Sequence, residues 1–431
     1  MACVTDHEVG VLAIGAGPAN LALAVAIEES GSDELAHGTL LLEQSPDIKW
    51  QRNLLMPWAR SQVSFLKDLV TLRNPRSRFS FLNFLHDQNR LDEFVNLGTF
   101  NPFRWELSDY LQWVAKNLEK VNIRYGARAE NVEPMRGTDG SITGWTVRLT
   151  DGDTIRCRDL VVGGGRDPHV PDVFADLPRD RVVHSSQYNT RIAQLPKDRP
   201  IRPVVVGGAQ SAAEMFMALH DNLPLSEPTI VVRSVGFQSY QTSKFVNELF
   251  YPSFVDDFYD SPPEVRAQIL DEMRLTNYAG LAPPFLDEIY LMMYQQKRLG
   301  PQRSCVRAMT EVVGARMDDD DNVVLDLRDR RTGKVEPLRC DLVLLGTGYD
   351  TKMPWMTRTL AAKAGLDEIN VSRCYRVEMG DSAWGALYVQ GVNEETHGIA
   401  DSLISVLAHR SQDILNDLVA RRGTTAELRS A

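Results

Sequence analysis

Two apolar runs, each ending in a glycine turn and followed by an alanine-rich stretch, set the pattern of this chain. The first covers Val9 to Ile14, turns through Gly15-Ala16-Gly17-Pro18-Ala19-Asn20 and continues apolar to Ile27, which predicts strand, turn and helix. A second strand is expected at Thr39 to Leu42. The same grammar recurs from Arg202 to Val206, through Gly207-Gly208-Ala209-Gln210-Ser211, to a strand at Thr229 to Val232. Two βαβ units predict two nucleotide sites. Gly144 to Leu149 and Thr154 to Cys157 flank Asp151-Gly152, while Val323 to Leu327 and the residues from Leu338 onward flank Thr332-Gly333; both patterns predict hairpins. Asp318 to Asp321 reads as a solvated turn, since consecutive aspartates at a hairpin tip do not converge on one metal ion. Helical periodicity fills Pro262 to Gln296, and Ser402 to Val419 reads as one amphipathic helix.

A length of 431 residues predicts more than one domain. The net charge of −11, with basic residues scattered among acids, argues against nucleic acid as a partner. Cys3, Cys157, Cys305, Cys340 and Cys374 lie far apart without a CxxC or metal-ligand spacing, as expected of reduced cysteines in a cytoplasmic protein. Val9 to Ile27 is long enough to suggest a membrane span, but the glycine turn inside it fits a buried strand and helix better. The start lacks the basic segment of a signal peptide. No membrane association is expected.

A glycine turn at a helix N-terminus lets backbone N–H groups approach a pyrophosphate, so Gly15, Gly17, Pro18 and Asn20 are candidate cofactor ligands. Glu43 ends the next strand, where an acid accepts a ribose hydroxyl, the mark of FAD or NAD. The second turn offers Gly207, Gln210 and Ser211, and its following strand ends in Arg233. A cation there suits a 2'-phosphate and so NADPH; a surface ion pair is the bland alternative. Asp341 to Leu345 is a further apolar strand running into Gly346-Thr347-Gly348, and in two-dinucleotide flavoproteins such a strand returns the chain to the FAD domain.

With these turns in order, the chain resembles the class B flavin N-hydroxylating monooxygenases, and within them the L-ornithine N5-monooxygenases. The resemblance rests on Gly15 to Asn20, Gln62 to Leu69 with Arg73-Asn74-Pro75, Asn96 to Phe100, Asp109 to Trp113, His184 to Tyr188, Gln210 to Glu214, Phe245 to Glu248, Thr276-Asn277-Tyr278, Gly346 to Tyr349, His397-Gly398 and Asp401 to Ser405. It implies an α/β protein with two Rossmann-like dinucleotide-binding domains, for FAD and NADPH, and a small helical substrate-binding segment. Residues 1–168 and 340–431 would form the FAD domain, 169–238 and 301–339 the NADPH domain, and 239–300 the helical segment.

The resemblance also implies chemistry. NADPH reduces FAD, molecular oxygen adds to give a C4a-hydroperoxyflavin, and a neutral side-chain amine takes the distal oxygen, in siderophore or related biosynthesis. Lys67 would hold the substrate carboxylate, Asn247 and Asn277 its α-amino and carboxylate groups, and Gln62 would border flavin and substrate. Ser405 joins the substrate ligands, and Gly348, His397 and Gly398 the cofactor ligands. A dimer or tetramer fits the resemblance. On their own, Lys67 could pair with Asp68 or solvent, and isolated asparagines commonly cap helices.

The chain also departs from the pattern. Gln51 stands where the family has His, and Lys244 where it has Pro. Residues 279–284 read Ala-Gly-Leu-Ala-Pro-Pro where ornithine enzymes continue Ser-Val-Val. The open alternatives are the same reaction on lysine, a diamine or aspartate, and an NADPH oxidase or flavin reductase on the same scaffold. The lysine and diamine branches usually lack a lysine at the position of Lys67, which favours ornithine.

Overall fold

Both glycine turns sit where buried parallel strands end. The structure is a computed structural model that describes residues 6–241, 243–278, 280–380 and 383–430, with side chains over 7–422 of these. Its first sheet contains β1 (Asp6–Ile14), β2 (Thr39–Glu43), β3 (Asn122–Tyr125), β4 (Ala129–Arg136), β5 (Ile142–Leu149), β6 (Thr154–Val162) and β15 (Leu387–Val389). The order is β3-β2-β1-β6-β5-β4, with β15 pairing to the end of β6. The second sheet contains β7 (Val182–His184), β8 (Pro203–Val206), β9 (Thr229–Val232), β10 (Cys305–Ala308) and β14 (Leu342–Leu345), in the order β10-β9-β8-β14-β7. A small antiparallel sheet of β11 (Thr310–Met317), β12 (Val323–Asp329) and β13 (Val335–Cys340) packs against it.

The two-residue period of a strand explains the apolar runs. Along β1, Val11 and Ala13 enter one core layer and Leu12 and Ile14 the other, so the strand is apolar on both faces. In the second sheet Val205, Leu342 and Leu344 face one core while Val204, Val343 and Leu345 face another. The helix Pro18–Glu28 is buried along nearly its whole length because it packs against the helix Arg104–Asn117 and the terminal helix Leu407–Ser430 and shares a core with Val11 and Ala13 of β1. Its alanines permit that close packing. Both expected hairpins form, β5 to β6 and β12 to β13, and the aspartates 318–321 lie in the turn between β11 and β12. The terminal helix begins at Leu407, after two 3-10 turns over 399–406, rather than at Ser402.

One strand goes elsewhere than expected. Leu342–Leu345 does not return the chain to the first unit; it pairs in parallel between β8 and β7, with Val206 beside Leu345. Every residue of it is buried, and an apolar run of four does not reveal which of two sheets it joins. The return comes just after it, where Tyr349 bridges Pro168 and the N–H of Asp350 donates to Asp167 O at 2.9 Å. Thus the segments leaving and re-entering the first unit run side by side.

A buried ion pair joins the units. Arg104, in the first turn of the helix Arg104–Asn117, donates through both Nη atoms to Glu214 on the helix Gln210–Asn222 of the second unit, at 2.8 and 2.7 Å. Both side chains are almost wholly buried. Nη1 also donates to Leu54 O at 2.7 Å. Asn53 adds contacts across the same boundary, donating to Ser186 O and accepting from the N–H and hydroxyl of Thr190.

Leaving one member of a buried pair uncompensated costs about 3–5 kcal/mol, whereas replacing both by apolar groups of similar size is close to neutral. Arg104→Met should therefore lower unfolding free energy by about that amount, and Arg104→Met with Glu214→Leu should recover at least half of it. Urea denaturation checks both; a single variant as stable as the parent contradicts the assignment.

Candidate dinucleotide and amine sites

Parallel register brings the carboxyl ends of β1, β2 and β6 together, with Ile14 beside both Leu42 and Val162. Gly15 follows at φ +89°, in the left-handed region, and a Cβ on it would lie 2.9 Å from Gly163 O. Gly17 caps the helix Pro18–Glu28 without any side-chain cap, and a Cβ there would meet nothing within 4 Å. Pro18 occupies the first helical turn, where a missing N–H costs nothing. Open space in front of unsatisfied helix N–H groups is a cradle for a pyrophosphate, and the residues present fit FAD. Glu43 lies at the rim: Oε2 accepts from Ala16 N at 3.1 Å and Oε1 from Ser45 N at 2.8 Å, leaving further lone pairs for a hydroxyl.

Asn20 plays a different part from the one expected. Its side chain is fully buried, Nδ2 donates to the carbonyls of Ile14 and Gly15, and Oδ1 accepts from Gln390. The side-chain amide is consumed inside the protein and holds the turn, so only the backbone N–H of Asn20, in the first turn of the helix, is left for the cofactor. His397 is corrected likewise. Its ring stacks on Tyr375 with centroids 4.2 Å apart, and its nitrogens contact Thr396 Oγ1 and Arg373 O. Burial pulls its pKa down to about 4, so it is neutral packing rather than a side-chain ligand. Gly398 follows at φ +84° against Phe258.

The second turn is tighter. Gly207 has φ +140°, and a Cβ there would lie 2.4 Å from Gly346 O. Ala209 caps the helix Gln210–Asn222 without a side-chain bond, leaving its first N–H groups, Ser211 included, for an anion. Gln210 Nε2 donates to Glu214 at 2.9 Å, while its Oε1 is buried and unpartnered. Arg233 is exposed beyond β9, and among the described residues no carboxylate pairs with it. Gly348, at φ +77°, offers its carbonyl to His184 Nε2 at 2.8 Å and to the N–H of His169 at 3.0 Å.

Lys67 is half-buried and, among the described residues, has no anionic partner; burial alone pulls its ammonium below the ordinary lysine pKa. Asp68 is spent elsewhere, accepting from the N–H groups of Val70, Thr71 and Phe81 and from the Thr71 hydroxyl. The bland pairing of Lys67 with Asp68 is therefore absent. Gln62 is exposed earlier in the same loop.

Asn247 is exposed on the short helix Lys244–Glu248, and Asn277 is the last residue of Pro263–Asn277, so neither caps a helix N-terminus. Both are moored to the turns 399–406. Phe250 packs against the cluster of Val255, Ala400 and Val406, and the Tyr278 hydroxyl donates to Glu394 and lies 3.4 Å from Ser402 Oγ. Ser405 is buried in those turns. No hydrogen bond joins Lys67 or Gln62 to this group among the described residues.

Sequence reading missed the partners of Tyr278: Glu394 also accepts from Arg166 at 3.0 Å, tying the end of the long helix to the loop after β6. Nothing in the local pattern marks residues so distant in the chain. The unusual segment after Tyr278 has a backbone role. Ala279 lies outside the described residues, as does Cys3, but a Cβ on Gly280 would lie 2.2 Å from Tyr240 N, where Ser239 bridges Leu281. Pro283 and Pro284 start the helix Pro283–Leu299. Lys244 is exposed and Gln51 adopts φ +50°. A groove of about 530 Å³ between Trp58, Ile192, Lys197 and Asp221 contains none of the candidate residues. The described cysteines are all free, no described helix is long and apolar enough to cross a membrane, and no described acid, His or Cys cluster could hold a metal.

A family model described as L-lysine 6-monooxygenase/L-ornithine 5-monooxygenase matches residues 7–351. An L-ornithine N(5)-monooxygenase of Pseudomonas aeruginosa is 37% identical over 416 residues, covering 95% of this chain and 93% of its own. A solved ornithine hydroxylase of Pseudomonas aeruginosa superposes with a TM-score of 0.89 at 36% identity, over 96% of this chain and 99% of that one. An ornithine N-hydroxylase of Kutzneria sp. 744, solved with reduced FAD, NADP+ and L-ornithine, gives 0.88 at 31% identity, over 96% and 100%.

The open position at Gly17 generates a direct test. A side chain at Gly17 would start into the cradle with no protein atom within 4 Å of its Cβ, so Gly17→Val should fold while losing flavin. Absorbance near the flavin band per mole of protein checks this; a folded variant with stoichiometric flavin contradicts it.

Proposed function

This chain belongs to the L-lysine 6-monooxygenase/L-ornithine 5-monooxygenase family, and from that premise we propose that it hydroxylates the side-chain amine of L-ornithine to N5-hydroxyornithine with FAD, NADPH and molecular oxygen. The carrying observation is Lys67, a half-buried ammonium with no anionic partner among the described residues, which a substrate carboxylate would complete. When bound, FAD accepts hydride from NADPH and activates oxygen for transfer to an amine nitrogen. The first glycine turn with Glu43 holds FAD, and the second, with Ser211 and Arg233, holds NADPH. Siderophore or related natural-product biosynthesis is the role this reaction fits. The free cysteines support a cytoplasmic setting, and the exposed Tyr290, Leu291 and Tyr294 on one helix face support a homo-oligomer.

Lys67 sets how far the amine reaches. Gripping the carboxylate fixes one end of a flexible zwitterion, while Asn247, Asn277 and Ser405 fix its orientation and Gln62 borders the reacting end. Ornithine and lysine differ by one methylene, worth only about 1–3 kcal/mol in an apolar pocket, so register from Lys67 does much of the sorting. The same reaction on lysine is the second reading, favoured by the family description that names both.

Two titrations oppose one another. The reacting amine must lose a proton from a pKa of about 10.4, so turnover at saturating substrate should rise with pH. Lys67 carries its charge below its depressed pKa and loses it as pH rises through that value, so carboxylate affinity should fall at a lower pH than a free lysine would dictate. A flat KM up to the pH at which free lysine titrates contradicts this role.

The functional test measures hydroxylamine across ornithine, lysine, putrescine and aspartate. Ornithine should lead. Lys67→Ala should reduce its use by about ten- to a hundredfold, leave NADPH-driven flavin reduction intact and erase the advantage over putrescine, which has no carboxylate. Normal ornithine turnover by that variant, or preference for putrescine in the parent, contradicts the proposal.

A further inference from the structure

We propose that Gln390 and Arg410 are positioning residues for the flavin, acting through Asn20 to fix the first glycine turn from inside the protein. The inference rests on the reading that this turn takes FAD. Gln390 follows β15, its N–H donating to Val162 O at 3.0 Å. Its Nε2 donates to Asn20 Oδ1 at 2.8 Å, and its Oε1 accepts from Arg410 Nε at 3.1 Å. Arg410, on the terminal helix, also donates from Nη1 to the carbonyl and carboxylate of Asp401 at 2.6 and 2.9 Å. Asn20, Gln390, Asp401 and Arg410 are all buried.

The donor inventory gives this chain of bonds a direction. A guanidinium donates and cannot accept, so Gln390 must turn its Oε1 toward Arg410. Its Nε2 then faces Asn20, which must answer with Oδ1. Nδ2 of Asn20 is thereby left to bind the carbonyls of Ile14 at 3.0 Å and Gly15 at 2.7 Å. Reversing either amide would set two donors or two acceptors face to face between buried side chains. The peptide from Gly15 to Ala16 is held at both ends, its carbonyl by Asn20 and its N–H by Glu43. A donor-only residue near the end of the chain thus dictates the bend of a turn near its start, and with it the presentation of the Gly17 cradle.

The rate of FAD release from the holoprotein, followed by flavin fluorescence on dilution, tests the proposal. Gln390→Glu keeps an acceptor for Arg410 but cannot donate to Asn20, whose Nδ2 must then leave the turn carbonyls. FAD release should quicken by about tenfold or more, while the circular-dichroism spectrum in saturating FAD stays that of the parent. Asn20→Asp, which loses the carbonyl grip directly, should quicken release equally. Arg410→Lys, still a donor only, should hold FAD better than Arg410→Gln, which lets Gln390 reverse. Should Gln390→Glu fail to fold, Asn20→Asp and the Arg410 pair decide alone. The proposal is overturned by parent-like FAD release in Gln390→Glu or Asn20→Asp, by loss of the parent's circular-dichroism spectrum in saturating FAD, or by equal release from the two Arg410 variants. A parent protein that binds no FAD defeats the underlying reading instead.

Discussion

The buried pair of Arg104 and Glu214 is the constraint on which the two-site architecture depends, because it sets one nucleotide turn against the other. Arg104 begins a helix of the first unit, and Glu214 lies in the second turn of the helix that follows the second glycine turn. The same carboxylate receives Gln210, so a residue of the second glycine motif is built into the joint. A hydride donor and acceptor bound in separate domains react only when those domains hold a fixed relation, and a desolvated bidentate pair supplies directional fixation that apolar packing alone does not.

Around that joint, polar groups concentrate where backbone must be held. Asp68 collects four donors to shape the loop carrying Lys67, and Glu394 joins Tyr278 to Arg166 beside Asn277. Lys67 stands apart, being half-buried and, among the described residues, left without an anion. A burial cost without compensation in the protein is the ordinary signature of a group completed by its ligand. Chemistry at the amine needs little acid–base help from the chain; it needs the nitrogen held at one depth and water kept away.

Local pattern revealed much of this. The runs at Val9 to Ile14 and Arg202 to Val206, their glycine turns and the two hairpins were legible because strand period and turn chemistry are written in neighbouring residues. The sheet to which Leu342–Leu345 belongs was not, since a wholly apolar strand carries no address. Asn20 and His397 were visible as motif members but not in their roles, which are set by partners elsewhere in the chain. Asn20 and Gln390 are 370 positions apart, and no spacing rule reaches across that interval. The departures after Tyr278 were visible as differences, and only the close approach of Gly280 to Tyr240 gives them a backbone cause.

The central claim is that one atom of dioxygen reaches the side-chain nitrogen of ornithine. Turnover of ornithine under isotopically labelled dioxygen, with NADPH and the FAD-loaded protein, tests it most directly by mass spectrometry of the product. The account predicts a single labelled oxygen on the side-chain nitrogen, formed in step with NADPH consumption. Label confined to hydrogen peroxide, with ornithine returned unchanged, would contradict it.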